Sequence, residues 1–332
     1  MQKNSNSVVI SSRIRFARNL ASEKFPNMLD TQNGQRVFCR IANALEFLGK
    51  VYRLKDLPEN DTGIMLEKHL ISPRLVSNSD ISGVVLSNDE KISIMINEED
   101  HLREQCIVPG LALEEAYQVL DKIDSTIDQK LGFAFDPQLG YLASCITNVG
   151  TAMRASVMLF LPALSLSGKI SSIAANAKQI GIELRGAKGE ESEEDGYNYQ
   201  ISNIASLGST EKDIIKNVDS TVRKIVELEI EERKNLASGT SVTIKDMVYR
   251  AYAILTGAYS LSVDEFNQML SQLKLGAVLG LLKFKNEQIF EKLAIAAQPC
   301  GLQKIAGHKL IGINENVYRA DYVSRTLKQN II

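Results

Sequence analysis

The chain has 332 residues, with 38 Lys and Arg against 40 Asp and Glu and a formal charge of −2, enough for about two domains around a sizeable core. That near-balance excludes a general nucleic-acid binder, whose surface needs a basic surplus or stripe. A polar start, Met1-Gln2-Lys3-Asn4-Ser5-Asn6, and no apolar run near the roughly 18 residues of a membrane span give the expectation of a soluble, cytoplasmic protein without membrane contact.

Val8 to Arg15 alternates as a strand, with Arg13 and Arg15 on one face and Ile10 and Ile14 on the other. Asp30 is placed to cap a helix over 31–48, whose Val37, Phe38, Ile41, Leu45 and Leu48 form an apolar stripe, and Gly49 fits its end. Val84-Val85-Leu86 and Lys91 to Ile96 predict a hairpin around Asn88-Asp89-Glu90. After Pro109-Gly110, a helix carries Leu113, Tyr117, Leu120, Ile123 and Ile127. Gly140 to Cys145 reads as a strand, followed by a turn over Thr147 to Thr151 and a helix carrying Arg154. A further helix over 169–180 precedes short strands at 183–185 and 197–202, with a Gly- and acid-rich loop between them.

From Ser209 onward strand signals cease, and helices are predicted near 211–235, 244–256, 263–274, 287–297 and 315–328. Ser262-Val263-Asp264-Glu265 forms a capping box, and Pro299 follows the end of a helix. Asn235 to Ser241 is the linker candidate. The expected organisation is a mixed α+β domain over 7–234 and a helical domain over 240–332.

The densest chemistry lies in Asn97-Glu98-Glu99-Asp100-His101-Leu102-Arg103, where a strand delivers three carboxylates, an imidazole and a guanidinium at its exit. Arg103, Arg154 and Arg185 each lie near an element end or loop, while Arg13 and Arg15 share a strand face. One arginine alone is more often a surface charge. Five converging would bind a polyphosphate, because guanidinium is always charged and presents planar, bidentate donors, and would stabilise a transferring phosphoryl group. The chain has no Gly-x-x-x-x-Gly-Lys-Ser/Thr loop, protein-kinase glycine loop or His-Arg-Asp loop, so nucleotide binding would rest on side-chain arginines. Cys39, Cys106, Cys145 and Cys300 are scattered, and His69, His101 and His308 lack a helical metal-binding spacing, so neither a metal site nor a disulfide framework is expected.

Ser11-Ser12-Arg13-Ile14-Arg15, Asn97 to Arg103 and Gly140 to Arg154, in this order, resemble the phosphagen kinases. The closer resemblance is to the bacterial protein-arginine kinases, through Ser11 to Leu20, Glu67-Lys68-His69-Leu70-Ile71-Ser72-Pro73, Arg185-Gly186-x-x-Gly189-Glu190, Gln200-Ile201-Ser202-Asn203 and Leu207-Gly208. It implies an α+β fold, an antiparallel sheet flanked by helices with a C-terminal helical domain, and ATP- and Mg2+-dependent phosphorylation of arginine side chains in proteins. Nucleotide would be bound by Ser11, Ser12, Arg13, Ile14, Arg15, His69, Arg103, Arg154, Ala155, Ser156, Val157, Met158, Arg185, Gly186, Ala187, Lys188, Gly189 and Glu190. The resemblance makes Glu99 and Glu190 the catalytic pair that holds the substrate guanidinium, and Cys145 a modulator of the substrate site. It names no metal residue; Mg2+ would be held mainly by phosphates and water. The partners it implies are arginine-containing protein substrates, a zinc-binding activator protein, a heat-shock transcriptional repressor, a Clp protease in a stress-response setting, and a second copy of the chain.

Physical chemistry supports the carboxylate roles. A guanidinium has a pKa above about 12 and becomes a nucleophile only when carboxylates orient it and accept its proton. Two glutamates from separate loops would clamp it, and orientation of this kind supplies roughly 7–11 kcal/mol. For Glu99 the alternative is a structural salt bridge, for Glu190 a solvated acidic loop, for Cys145 a small buried hydrophobe, and for His101 a brace for the acids beside it. Departures from the family pattern are Glu191, Ile146 and Ala152, and Glu315-Asn316 in place of the Arg-Asp that opens a regulatory phosphoarginine motif ending here in Arg319-Ala320. Two other readings remain: a kinase for free arginine or another small guanidino compound, and a non-catalytic nucleotide- or phosphoarginine-binding adaptor. Against the former, Ser11-Ser12-Arg13 comes early in the chain, whereas small-molecule phosphagen kinases place a helical domain before it.

Overall fold

The strict alternation of buried and partly exposed residues along Val9–Arg18 makes this segment the central strand, β1, of an eight-stranded sheet. The computed structural model describes residues 7–186, 196–239 and 242–332. The other strands are β2 (Gly49–Arg53), β3 (Gly83–Ser87), β4 (Ile92–Ile96), β5 (Leu102–Pro109), β6 (Phe135–Asp136), β7 (Gly140–Tyr141), β8 (Met153–Phe160), β9 (Ile182–Gly186) and β10 (Asn198–Asn203). The sheet order is β2-β3-β4-β5-β1-β8-β10-β9, every neighbouring pair antiparallel, while β6 and β7 form a separate ribbon. Helices of the first part are α1 (Thr31–Ala44), α2 (Glu59–Glu67), α3 (Pro73–Ser77), α4 (Leu113–Leu131), α5 (Pro162–Leu166), α6 (Ile170–Gln179) and α7 (Glu211–Ser238). Then come α8 (Val242–Gly257), α9 (Val263–Val278), α10 (Ile289–Ala296), α11 (Pro299–Ala306) and α12 (Ile313–Asn330).

One face of the sheet is the core. Ile14 and Phe16, Ile94 and Ile96, Ala155 and Val157, and Ile201 meet the apolar stripes of α1, α4 and α7, and each large side chain so buried contributes about 1.5–3 kcal/mol. Asp30 starts α1 by accepting the Asn33 N–H at 2.7 Å, and Thr210 starts α7 through the Asp213 N–H at 3.2 Å. Arg18 crosses into this layer and forks onto both oxygens of Asp124, at 2.9 and 3.1 Å, beneath the Tyr141 ring. Burial, then the Asp124 charge, pushes the Glu104 carboxyl well above the usual range, so one proton stays with this acid pair while Arg18 balances the remaining charge.

The opposite face is divided. Over β3 and β4 it is closed by a smaller cluster of Leu54, Met65, Leu70, Ile71, Leu75, Val84, Leu86 and Met95. Over β5, β1, β8, β10 and β9 it is polar. The helical tail encloses its own cluster, including Leu255, Phe266, Leu273, Phe290, Leu293, Val323 and Leu327. It docks on the first part where the Glu67 carboxylate accepts the Cys300 and Gly301 N–H groups of α11 at 2.7 and 3.0 Å.

Three expectations are corrected. Arg154 lies on a strand, not a helix: Ala155, Val157 and Leu159 point alternately into the core, and the vacancy between β1 and β10 overrides the helix propensity of Met, Arg and Ala. The helix from 31 stops at Ala44, and Gly49 opens β2, where a Cβ would lie 2.1 Å from the Leu86 carbonyl oxygen. Only Gly140–Tyr141 of the strand expected over 140–145 is paired; the remainder is drawn to the turn before β5.

Candidate active site

Period-2 geometry and antiparallel register bring together arginines that are far apart in sequence. Arg15 on β1 stands directly opposite Arg154 on β8, and Arg13 opposite Ser156. Arg103 opposes Ala17 from β5, and Arg185 on β9 opposes Gln200 on β10. All five guanidinium-bearing positions lie on the polar face. Few anions balance them: Arg13 donates to Ser156 Oγ at 3.4 Å and Gln200 Oε1 at 3.0 Å, and Arg154 to Ser202 Oγ at 2.8 Å and Glu183 Oε2 at 3.1 Å. Arg185 pairs with the other Glu183 oxygen.

The Nε groups of Arg15 and Arg154 are buried with no partner among the described residues. Burial, then the charges of Arg103 and Arg154, lowers the Arg13 pKa to about 10. Arg15 is held well below its ordinary value by burial first, then by Arg13, Arg103 and Arg154. Crowded cations with orphaned donors form a surface suited to a polyanion. A nucleotide triphosphate fits that requirement.

The turn before β5 sorts its charges by burial. Asn97 takes a positive φ of 55° and donates its amide to Gly34 and Ile81 carbonyls at 3.0 and 2.9 Å. Glu98 is buried and accepts from Ser72 Oγ at 2.5 Å and Arg103 Nη1 at 2.6 Å. Burial raises its pKa, but Arg103, Ser72 and the Glu99 N–H outweigh that and leave it low. Asp100 accepts from Asn19 Nδ2 and the Ser144 N–H, both at 2.6 Å, so the loop after β7 is tied down here. His101 is fully buried, its Nδ1 accepting the Leu20 N–H at 3.2 Å. Glu99 alone among the turn's acids keeps a partly exposed carboxylate, 28% accessible and paired with Arg74 at 2.9 Å.

Ser144 Oγ also donates to the Glu99 carbonyl at 2.8 Å, which sets Cys145 beside this turn; its Sγ lies 3.0 Å from Thr147 Oγ1. His69, at φ 58°, has its carbonyl held by Gln105 Nε2 at 2.7 Å. Partial enclosure and then the Arg13 charge lower its imidazole pKa.

The structure thus gathers Arg13, Arg15, His69, Arg103, Arg154, Ser156, Met158 and Arg185 on or beside one face, with Ser11 further along β1 and Gly186 at the end of β9. Ser12, Ile14, Ala155 and Val157 point to the other side: Ser12 bonds Gly110 O and the Ala112 N–H, and the other three are core. Ala187, Lys188, Gly189 and Glu190, with Glu191, lie outside the described residues. Sequence reasoning included Glu98 only as part of the Asn97–Arg103 run and gave no role to Gln105, Glu183, Gln200 or Arg74, which the structure places on or beside this face. An unused signal existed for Glu183, two positions before Arg185 and hence on its face.

The family model for the ATP:guanido phosphotransferase C-terminal catalytic domain matches residues 32–232, and that for the protein-arginine kinase McsB C-terminal domain matches 241–331. The chain is 40% identical to a protein-arginine kinase of Halothermothrix orenii over 96% of its length and 93% of that protein. It is 42% identical to one of Clostridium kluyveri over 97% of its length and 95% of the relative. Among solved structures it resembles a substrate-free duplicated taurocyamine kinase from Schistosoma mansoni, with TM-score 0.62, 25% identity, 77% of this chain and 40% of that one covered. For a lombricine kinase the TM-score is 0.61 at 24% identity, covering 71% of this chain and 69% of that one, which shows the shared fold.

Proposed function

The chain belongs to the ATP:guanido phosphotransferase family, and from this we infer that it is a protein-arginine kinase, which moves the γ-phosphoryl group of ATP, used as its magnesium complex, to arginine side chains of proteins. The observation that carries the residue assignments is the pair Arg15 and Arg154, side by side with buried Nε groups that have no partner among the described residues. Arg13, Arg15, Arg103, Arg154 and Arg185, with His69 at the edge, would hold the phosphates and stabilise charge spreading over the transferring group. Mg2+, when bound with the nucleotide, would supply further neutralisation of phosphate charge.

Glu99 would hold the acceptor guanidinium, with Glu190 proposed from the family resemblance as its second clamp. In the transfer the N–P bond forms as the P–O bond to ADP breaks, and the guanidinium proton passes to carboxylate or water. Orientation is the larger contribution of the acids; Cys145, beside the Glu99 turn, would tune the acceptor pocket. We place the domain division between 234 and 240, at the C-terminal end of α7, which continues as helix through residues 235–238 of the expected linker.

No helix among the described residues is long and apolar enough to cross a membrane. A cytoplasmic, stress-response setting, a zinc-binding activator, a heat-shock repressor, a Clp protease and a homodimer complete the proposal and rest on the family resemblance.

Competition tests the acceptor class. With MgATP, an arginine-rich protein and excess free arginine, phosphate should appear on protein arginines with little inhibition by the free amino acid. Phosphorylation of free arginine in preference to the protein would favour a small-guanidino kinase instead.

A further inference from the structure

Glu99 is immobilised through its backbone. Its N–H donates to Glu98 Oε2 at 2.9 Å and its carbonyl accepts Ser144 Oγ at 2.8 Å. Among the described residues its carboxylate is held by one group, the Arg74 guanidinium of α3, at 2.9 Å. Arg74 is 57% exposed, and among the described residues its guanidinium makes no other bond. The carboxylate thus already binds the chemical group that an acceptor arginine would present to it.

We propose that Arg74 is a built-in competitor, a positioning residue that keeps Glu99 ordered and is displaced by the substrate guanidinium. The inference rests on Glu99 being the acceptor-holding carboxylate. Two features of the pair fit displacement. It joins an exposed long side chain to a half-open carboxylate, a class of ion pair weak enough to hinder binding by only about two- to fivefold. It also exchanges like for like, since a planar guanidinium replaces Arg74 with the same donors, whereas a lysine ammonium presents a point charge of different geometry. Arg74 therefore sets a threshold that an arginine docked on a protein surface passes more readily than an unanchored one.

Steady-state kinetics of the full chain with an arginine-rich protein test this, comparing wild type with Arg74→Ala and Arg74→Lys. The expected result for Arg74→Ala is a two- to fivefold lower KM for the protein, with kcat within about twofold and KM for ATP unchanged. Arg74→Lys should fall between, and the advantage of Arg74→Ala should shrink as salt rises. A fall in kcat without a fall in KM would mean that Arg74 only orients Glu99, and no change in either would make the pair a surface contact; both results overturn competition. Glu99→Gln separates the two layers. If it keeps wild-type transfer, the Glu99 assignment fails; if it is inactive while Arg74→Ala leaves KM unchanged, the competitor role alone fails.

Discussion

His101 sits among the acids of the Asn97–Arg103 turn, fully buried, and burial lowers its pKa from 6.5 to about 4. At neutral pH it is an uncharged acceptor for the Leu20 N–H, and its part is to brace the turn. Its folded pKa lies below its unfolded one, so between these values the unfolded chain binds the extra proton. Stability should therefore be lost as pH falls from about 6.5 to about 4, by about 3 kcal/mol from this group. Glu98, held low, adds its own loss only as pH falls below the ordinary carboxylate value. Urea unfolding from pH 7.5 to 4 checks this: His101→Asn should remove about one proton from the uptake on unfolding, and an unchanged slope would contradict it. That Glu99, rather than Glu98 or Asp100, keeps an open carboxylate was not legible from the run of acids. The sorting is done by Ser72, Asn19 and Ser144, partners distant in sequence.

Among elements, the arginine face is assembled by strands, two of which local pattern concealed. Alternation in β1 put Arg13 and Arg15 on one face from sequence alone. Arg154 needed the register between β1 and β8, and Arg103 needed β5, whose start merges with the preceding turn. Ala152, one of the departures from the family pattern, takes φ 48° at the entry to β8, a strained conformation for a residue with a Cβ. Helix α11, hidden behind the Pro299 stop signal, begins at that proline and is capped by Glu67. Glu67 also lies two residues before His69, so the docked tail abuts the edge of the proposed nucleotide face. Glu67→Ala should cost about 1 kcal/mol through the lost cap and raise KM for ATP modestly. Thermal unfolding with ATP kinetics checks both, and an unchanged melting temperature would remove α11 from the explanation.

For the whole molecule, composition and order of elements made the α+β part and the helical tail legible, since amphipathic stripes and caps are local. The tail's relation to function was less so. Arg319 is fully buried and spends its donors on Ala297 O at 2.9 Å, Leu261 O at 3.0 Å, Asn316 Oδ1 at 2.9 Å and the Glu315 carboxylate. With Glu315 already in place, a phosphoarginine would meet a carboxylate there. Added phosphoarginine should leave activity unchanged, while Arg319→Ala should destabilise the tail by about 3–5 kcal/mol through a stranded acid and unpaired carbonyls. Activation by phosphoarginine in a simple titration would contradict this reading.

The central claim is that arginines hold the phosphates while Glu99 holds the acceptor. Its most direct test is transfer from labelled ATP and Mg2+ to an arginine-rich protein, mapped by mass spectrometry under non-acidic conditions because the P–N bond is acid-labile. Wild type should place phosphate on protein arginines. Glu99→Gln should bind ATP normally and lose at least about a hundredfold in transfer, whereas Arg103→Ala should weaken both nucleotide affinity and turnover. Near-wild-type transfer by Glu99→Gln would contradict the assignment.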